Sequence, residues 1–408
     1  MRARVVIVGA GPGGSAAAIA LARQGIDVLL LDKDTFPRDK TCGSGLSPHG
    51  VALADELGIG AEVRARAYPI HALRLTTPRG REMLLSSDVS AVVLLRKDFD
   101  NLLVERAVSL GARFHGGFSA RALLTEGGRV VGVQGRNGET VRGDYVLCAD
   151  GAHSIFSRDP RPKRSISTLM GWWEGVPFRP HTLEMVYDRA LLPLYGWLFP
   201  ETPERVNIGI CMEGQDEHGG KTRRNVREVF ARFLDDHYRD RLAGARPVGR
   251  WKGHPIVYTT WIAHCTTPGA LYLGEAARVT HNATGEGISQ AMQSGLYAAE
   301  ALTAILTGRR TEGEAFATYT RALRWRFTGS FLAGHLLRAV LRTPLLDGIA
   351  TVYNAPEVRR AVTGVLGSAL AGRRVAHRDD TGSNVPRRPA VDENTRASQS
   401  SQREGLLS

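Results

Sequence analysis

Three glycine-rich segments constrain this chain more than any other feature. They are Gly9-Ala10-Gly11-Pro12-Gly13-Gly14, then Ala149-Asp150-Gly151, then Gly274-Glu275-Ala276-Ala277 with Gly285-Glu286-Gly287-Ile288 close behind. The first follows an apolar run at residues 5–8 and opens an alanine-rich stretch at 13–24. A second apolar run, 28–31, ends in Asp32. Strand, helix, strand is the order of a βαβ unit, and that context lifts the glycine spacing above a chance match. In such a unit Gly9 permits a tight turn, Gly11 lets the backbone approach a pyrophosphate, and Gly14 lets helix and strand pack closely. The helix N-terminus offers N–H donors and partial positive charge to phosphates. Asp32, 18 residues past Gly14, stands where a carboxylate accepts hydrogen bonds from ribose hydroxyls, with Lys33 beside it. Gly9, Gly11, Gly14, Asp32 and Lys33 are thus expected in a dinucleotide site.

The rest of the chain organises around that unit. A helix is expected at 98–110, then short alternating runs at 120–124, 130–134 and 145–148, forming an antiparallel excursion that returns to the parallel sheet. Between 166 and 267 strand-like pieces (183–187, 195–199, 206–211, 249–254) alternate with one polar helix near 222–242, the pattern of a second, mixed sheet. Residues 271–273 return to the nucleotide-binding part, a helix begins near Gly287, and 311–372 read as helical. The expected fold class is α/β: a Rossmann-type dinucleotide-binding domain, a mixed-sheet substrate domain and a helical C-terminal segment. The expected boundaries are 1–70, 96–165 and 268–310 for the first, 71–95 and 166–267 for the second, 311–375 for the helices, and a disordered tail at 376–408.

The later motifs separate one dinucleotide from another. The segment Cys148-Ala149-Asp150-Gly151-Ala152-His153-Ser154 resembles the Asp-Gly segment of flavoprotein hydroxylases and reductases, in which the acid at the position of Glu275 contacts the ribityl chain. The turn Gly285-Glu286-Gly287-Ile288 begins a helix whose N–H groups would face the flavin N1/C2 carbonyl edge, where negative charge collects on reduction. Three further segments carry a resemblance to one family: Phe36-Pro37-Arg38-Asp39-Lys40-Thr41-Cys42-Gly43-Ser44-Gly45-Leu46-Ser47, then Arg96-Lys97-Asp98-Phe99-Asp100, then Tyr195-Gly196-Trp197-Leu198-Phe199-Pro200 with Gly209 nine residues beyond Pro200. The chain resembles the geranylgeranyl reductase family, within the para-hydroxybenzoate hydroxylase-type flavoproteins. The resemblance spans about residues 5–300.

That resemblance implies FAD as cofactor, held by Gly9, Gly11, Gly14, Asp32, Lys33, Cys42, Gly43, Arg96, Asp150, Gly274, Glu275, Gly285, Gly287 and Ile288. It implies reduction of a carbon–carbon double bond in an isoprenoid or lipid-like substrate by hydride from reduced flavin N5. Cys42 or Tyr195 would supply the proton, and Tyr195, Trp197, Phe199 and Gly209 would line the substrate. Three positions depart from the family pattern: Glu275 stands for Asp, Arg278 for Gly and Asn282 for Pro. Arg278 would either meet an anion near the cofactor or point to solvent. Cys211 takes the place of the pocket's second glycine. His49, His254 and His281 lack metal-ligand spacing and are expected to be structural.

An FAD-dependent monooxygenase of a secondary metabolite uses the same scaffold and is the alternative. A halogenase ranks lower, because the strand lacks the Trp-x-Trp-x-Ile-Pro pattern and residues 41–96 contain no lysine. A non-catalytic lipid-binding protein, suggested by the Glu275 and Arg278 changes, likewise ranks below the monooxygenase. No second glycine-rich βαβ unit is present, so NAD(P)H would bind transiently, or an electron-donor protein would serve. The four cysteines, Cys42, Cys148, Cys211 and Cys265, never fall as C-x-x-C, which argues against zinc and disulfides and for the cytoplasm. The run after Met1-Arg2-Ala3-Arg4 is too short for a signal peptide. Between 321 and 360 seven arginines meet two acids among many apolar residues, a composition suited to peripheral contact with the inner face of a membrane, or to a solvated helical face. Nucleic acid is not an expected partner.

Overall fold

The computed structural model describes residues 1–157, 159, 164–214, 225–262, 264–353 and 355. Its helices are α1 (Pro12–Arg23), α2 (Pro48–Leu57), α3 (Gly60–Arg66), α4 (Arg96–Ser109), α5 (Val226–Leu242), α6 (Ile288–Leu306), α7 (Glu312–Leu341) and α8 (Leu345–Val352), with a 3-10 turn at Gly274–Ala277.

Continuous apolar runs build the first sheet. Val28–Leu31 is buried at every position, as a parallel strand covered on both faces should be. The strand order is Thr266–Thr267, Ala270–Tyr272, Thr140–Cys148, Arg2–Val8, Val28–Leu31, Arg113–His115. From Ala270–Tyr272 to Arg113–His115 every pairing is parallel. Ala120–Glu126 and Arg129–Gly135 add the antiparallel excursion. α1 and α6 pack together without side chains between them: a Cβ on Gly295 would lie 2.2 Å from the Gly13 carbonyl oxygen.

The second sheet is mixed and nine-stranded. Only the pairing of Thr182–Val186 with Tyr68–Thr76 is parallel. Its two faces follow the period of two along each strand. Leu198, Ile208 and Ile210 turn to α5, where Phe230 and Phe233 cover them. Tyr195, Trp197 and Cys211 turn the other way and share a core with Leu341, Ala350 and Tyr353 of the C-terminal helices and the turn after them. Gly196 is fixed by the first face, since a Cβ there would lie 2.0 Å from the Phe233 ring.

Several elements differ from expectation. α2, α3 and the strands Tyr68–Thr76, Glu82–Val93 and Arg164–Glu174 carry no clean periodicity. In Arg164–Glu174 four consecutive residues, 169–172, run buried, buried, buried, half-buried, so polar alternation is missing. The expected strand at 249–254 is observed at Lys252–Tyr258. Gly45–Leu46, in the loop after the βαβ unit, pairs with Val92 and Val93 of the second sheet. The expected tail at 376–408, and the helical reading beyond 355, lie outside the described residues.

Candidate functional site

The three glycine segments meet in space. Gly9 adopts φ +101°, and a Cβ there would lie 2.3 Å from the Ala149 carbonyl oxygen; on Gly14 it would lie 1.9 Å from the Gly9 oxygen. Gly11 differs, because among the described residues the one atom within 4 Å of its Cβ position is Arg38 Nη2, at 3.9 Å. The space before the loop is therefore open. α1 begins there with Gly11 as N-cap and no side-chain cap, so its first N–H groups lack a side-chain acceptor. Asp32 is buried and held firmly: Oδ2 accepts from Ala10 N at 2.7 Å and Oδ1 from Asp34 N at 3.0 Å. Lys33 is exposed at the strand end.

Arg38, in the loop after the βαβ unit, was not among the expected ligands. Its guanidinium stacks over Phe36 at 4.7 Å, and Nη2 meets Asp100 Oδ2 at 2.9 Å. Nη1 is buried with no hydrogen-bond partner among the described residues. An orphaned cationic donor, an uncapped helix N-terminus and open space in front of Gly11 together fit a pyrophosphate. These residues therefore fit the ADP half of FAD. Asp100 orients a second arginine as well, since Arg96 binds it bidentately with both bonds at 2.7 Å. Burial opposes the Arg96 charge, but Asp100 overrides it and holds the guanidinium pKa above its ordinary value.

Cys42 is half-buried, and its sulfur accepts from Ser44 N at 3.3 Å. Ser44 takes φ +62°, which turns the loop back onto the second sheet. A Cβ on Gly43 would lie 3.2 Å from the Phe199 ring and 3.4 Å from Trp197 Nε1. The fold thus brings Gly43, the neighbour of Cys42, against Trp197 and Phe199. Trp197 packs on Gly209, whose Cβ would come within 2.3 Å of the indole. Its Nε1 donates to the buried Asn207 Oδ1 at 2.7 Å, and Asn207 donates on to Gly171 O. Asn207 was not anticipated; its signal was a lone Asn in an apolar strand. Tyr195 packs edge-on against Trp197, and its hydroxyl donates to the Thr284 carbonyl at 2.5 Å. Burial, with Cys211 and Tyr187 adding to it, pushes that phenol well above 10.0.

Lys40, His254 and Glu275 form a polar cluster beneath this loop. Lys40 Nζ lies 2.5 Å from His254 Nε2, and His254 Nδ1 lies 2.6 Å from Pro255 O. The carbonyl fixes the proton on Nδ1, so Nε2 accepts from the ammonium. Burial and the Lys40 charge depress the His254 pKa to about 4. Burial also lowers the Lys40 pKa, while Glu275 opposes that shift. Glu275 Oε1 accepts from Val257 N at 3.2 Å, which links the Gly274 turn to the second sheet; burial raises its pKa against the field of Lys40. Asp150 holds its own turn by accepting from Ile155 N at 3.0 Å.

The turn ahead of α6 is tied on three sides. Glu286 Oε1 accepts from Ser47 Oγ and Ser289 Oγ, each at 2.5 Å. Tyr195 holds Thr284 from the second sheet. On the α7 side, Asn282 Nδ2 donates to Phe331 O at 3.0 Å, and His281 Nε2 donates to Ser330 O at 3.2 Å. Gly285 takes φ +67°, and Gly287 is an N-cap without a side-chain cap, leaving the first turn from Ile288 to offer its N–H groups. Gly274 donates its N–H to Ser294 Oγ in α6. Arg278 does not point to solvent. It is 4% exposed, its Nη2 donates to Asp159 O at 3.2 Å and Nη1 lies 3.5 Å from the Asp159 carboxylate. Its φ of +57° lies in the left-handed region that glycine adopts most readily. Among the described residues no group of three or more His, Cys, Asp or Glu is placed to hold a metal ion.

Residues 2–326 match the family described as FAD binding domain. Digeranylgeranylglycerophospholipid reductase 2 of Methanopyrus kandleri is 30% identical over 377 residues, which cover 88% of this chain and 92% of that protein. Menaquinone reductase of Mycobacterium tuberculosis is 32% identical over 328 residues, covering 74% and 76%. A geranylgeranyl bacteriochlorophyll reductase-like protein of Thermoplasma acidophilum shares the fold, with a TM-score of 0.76 at 24% identity, over 89% of this chain and 99% of that one.

Proposed function

Since the chain belongs to the FAD-binding domain family and, within it, to the FAD-dependent oxidoreductases of geranylgeranyl reductase type, we propose that it reduces a carbon–carbon double bond in a polyprenyl chain carried on a lipid. One observation carries this reading: the Trp197–Phe199 wall lies directly against the Cys42–Gly43 loop. The wall's indole N–H is already given to Asn207 and Trp197 is only 4% exposed, so an opening between wall and loop would offer a substrate apolar aromatic surface. That suits a prenyl chain better than a polar ring.

FAD, when bound, would supply a two-electron carrier able to deliver hydride to one alkene carbon. The other alkene carbon needs a proton, and we assign Cys42 as its donor. Tyr195 is the weaker candidate, because its proton is committed to Thr284 and its phenol is held far from neutral pH; we assign it to positioning the turn before α6. Hydride and proton together saturate the bond, and the two electrons come from NAD(P)H or an electron-donor protein. Arg38 and the start of α1 would hold the pyrophosphate, and Asp32 the ribose. Arg96, Glu275 and the start of α6 would surround the rest of the cofactor. In this assignment residues 1–70, 96–165 and 268–310 hold FAD, 71–95 and 166–267 hold the substrate, and the C-terminal helices cover it. We place the enzyme in the cytoplasm, peripheral at the inner face of the membrane; no helix among the described residues is long and apolar enough to cross one.

The test is an anaerobic absorbance titration. Purified protein should be yellow, bleach with NADPH or dithionite, and recover its colour on addition of geranylgeranyl diphosphate or menaquinone with O₂ excluded. Recovery only on admitting air would replace the reductase reading with a monooxygenase. A colourless protein releasing no flavin on denaturation would replace it with a lipid-binding protein.

A further inference from the structure

α7 has two unlike faces. Phe327, Phe331 and Arg338 are buried against the body of the protein, while Trp325 is 83% exposed, Leu336 65% and Leu332 58%. At 100° per residue Arg321, Trp325, Leu332 and Leu336 fall within one narrow arc of the helix. From Trp325 to Leu336 the stripe runs about 16 Å. At its N-terminal end lies an open groove of about 750 Å³, lined by Trp261, Phe316, Arg321, Arg324 and Trp325 among others. Arg324 sits over the Trp261 ring at 5.1 Å and donates to Ile262 O. Trp261 is itself 48% exposed. α8, packed against α7, exposes Leu345 and Val352. Most of the large apolar side chains exposed among the described residues thus sit on these two helices or beside them.

Charge separates the occupants. The chain carries no acidic residue between Glu314 and Asp347 but five arginines; Arg338 and Arg342 both meet Glu213, so the charge this region offers lies on Arg321, Arg324 and Arg326. A second copy docking by the same face would set these arginines against each other. An anionic surface would attract them. Tryptophan, leucine and arginine on one helical face also match the three depths of a lipid interface: ring at the head-group level, leucine among the acyl chains, guanidinium at the phosphates.

We infer that the Trp325–Leu336 face of α7 docks this enzyme onto an anionic phospholipid bilayer, with α7 lying along the membrane surface. The choice of a bilayer rests on the polyprenyl-lipid reading; the exposed stripe and its charge do not. Docked this way, the outer face of α7 meets lipid while its inner face holds the His281–Asn282 turn, so a lipid-borne chain need travel only past one helix.

The experiment is co-sedimentation of the full-length holoprotein with vesicles of phosphatidylcholine alone or with phosphatidylglycerol. Wild type should pellet with the anionic vesicles and be released as salt rises beyond physiological strength. Leu332→Asn/Leu336→Asn should lose at least about tenfold in partitioning, with unchanged circular dichroism and FAD content. Trp325→Phe should remove a blue shift in tryptophan emission seen on binding. Wild type remaining in the supernatant overturns the inference. So does a double variant that binds as wild type does, or a concentration-dependent dimer that this variant abolishes while no vesicle binding occurs. The two readings fail separately. Absent vesicle binding with intact anaerobic reoxidation by a short, water-soluble prenyl substrate removes only the docking surface. Intact vesicle binding without such reoxidation removes only the reductase.

Discussion

Replacing Arg38 by methionine separates cofactor binding from folding. The flexible thioether keeps an apolar partner for the Phe36 ring but removes the guanidinium. In the cofactor-free protein little should be lost. Asp100 keeps the bidentate bond from Arg96, and a buried donor with no partner, Nη1, disappears with the side chain. An unsatisfied buried donor costs about 1–3 kcal/mol, which offsets the loss of the 2.9 Å pair with Asp100. In the loaded protein the balance reverses, because a charge-assisted hydrogen bond to a phosphate contributes about 1.5–3 kcal/mol. FAD affinity should therefore fall by about 10- to 150-fold. The assay is FAD fluorescence titration of deflavinated wild type and R38M, with thermal melts alongside. FAD at 100 times the wild-type Kd should stabilise wild type by about 2.7 kcal/mol, and a tenfold weaker variant by only about 1.4. An unchanged Kd would refute the pyrophosphate role. A large loss of stability without FAD would show that Arg38 serves Asp100 instead, and Asp100→Asn would then reproduce it.

Three other perturbations probe the rest of the site. Cys42→Ala should leave flavin reduction intact and slow anaerobic reoxidation by prenyl substrate by about 10²–10⁴-fold, the usual contribution of a positioned acid; stopped-flow absorbance separates the two half-reactions. Gly209→Ala puts a Cβ 2.3 Å from the Trp197 ring, so the indole must move, at about 1–3 kcal/mol of overpacking; substrate KM should rise while FAD Kd stays put. The third concerns pH. His254 has a folded pKa of about 4, below its ordinary value, so between those two values the unfolded chain binds the extra proton. Its contribution is complete above about pH 6.5 and is lost as pH falls toward 4, at most about 1–2 kcal/mol after solvent screening. Melting temperature should fall over that window, and less steeply in His254→Gln.

Gly9 and Gly14 were legible because each answers a backbone contact that any side chain would break, within one short loop, while Gly11 leaves open space in front of it. The shared face of Tyr195 and Trp197 was legible from the period of two. What that face meets was not, because Gly43 and Trp197 are brought together only by the closing of two sheets. Arg38 and Asp100 lie far apart in sequence, and no local pattern announces their pairing. α2 and α3 were missed because Pro48, Gly50, Gly58 and Gly60 weaken the helical signal between them. In α7 the apolar residues were visible, but their division into inward Phe327 and Phe331 and outward Trp325, Leu332 and Leu336 depends on tertiary packing that a broadly apolar helix does not encode.

The clasp between α7 and the turn at 281–287 bears on how the protein matures. His281 and Asn282 are held by Ser330 and Phe331, and Arg338 donates to the Asn282 carbonyl at 2.8 Å. A chain growing from its N-terminus carries every glycine motif well before Arg338 leaves the ribosome. Until then the turn has its ties to Ser47 and Tyr195 but not the one to α7. The start of α6 is thus set by residues from three distant parts of the chain, of which α7 is the last to be made.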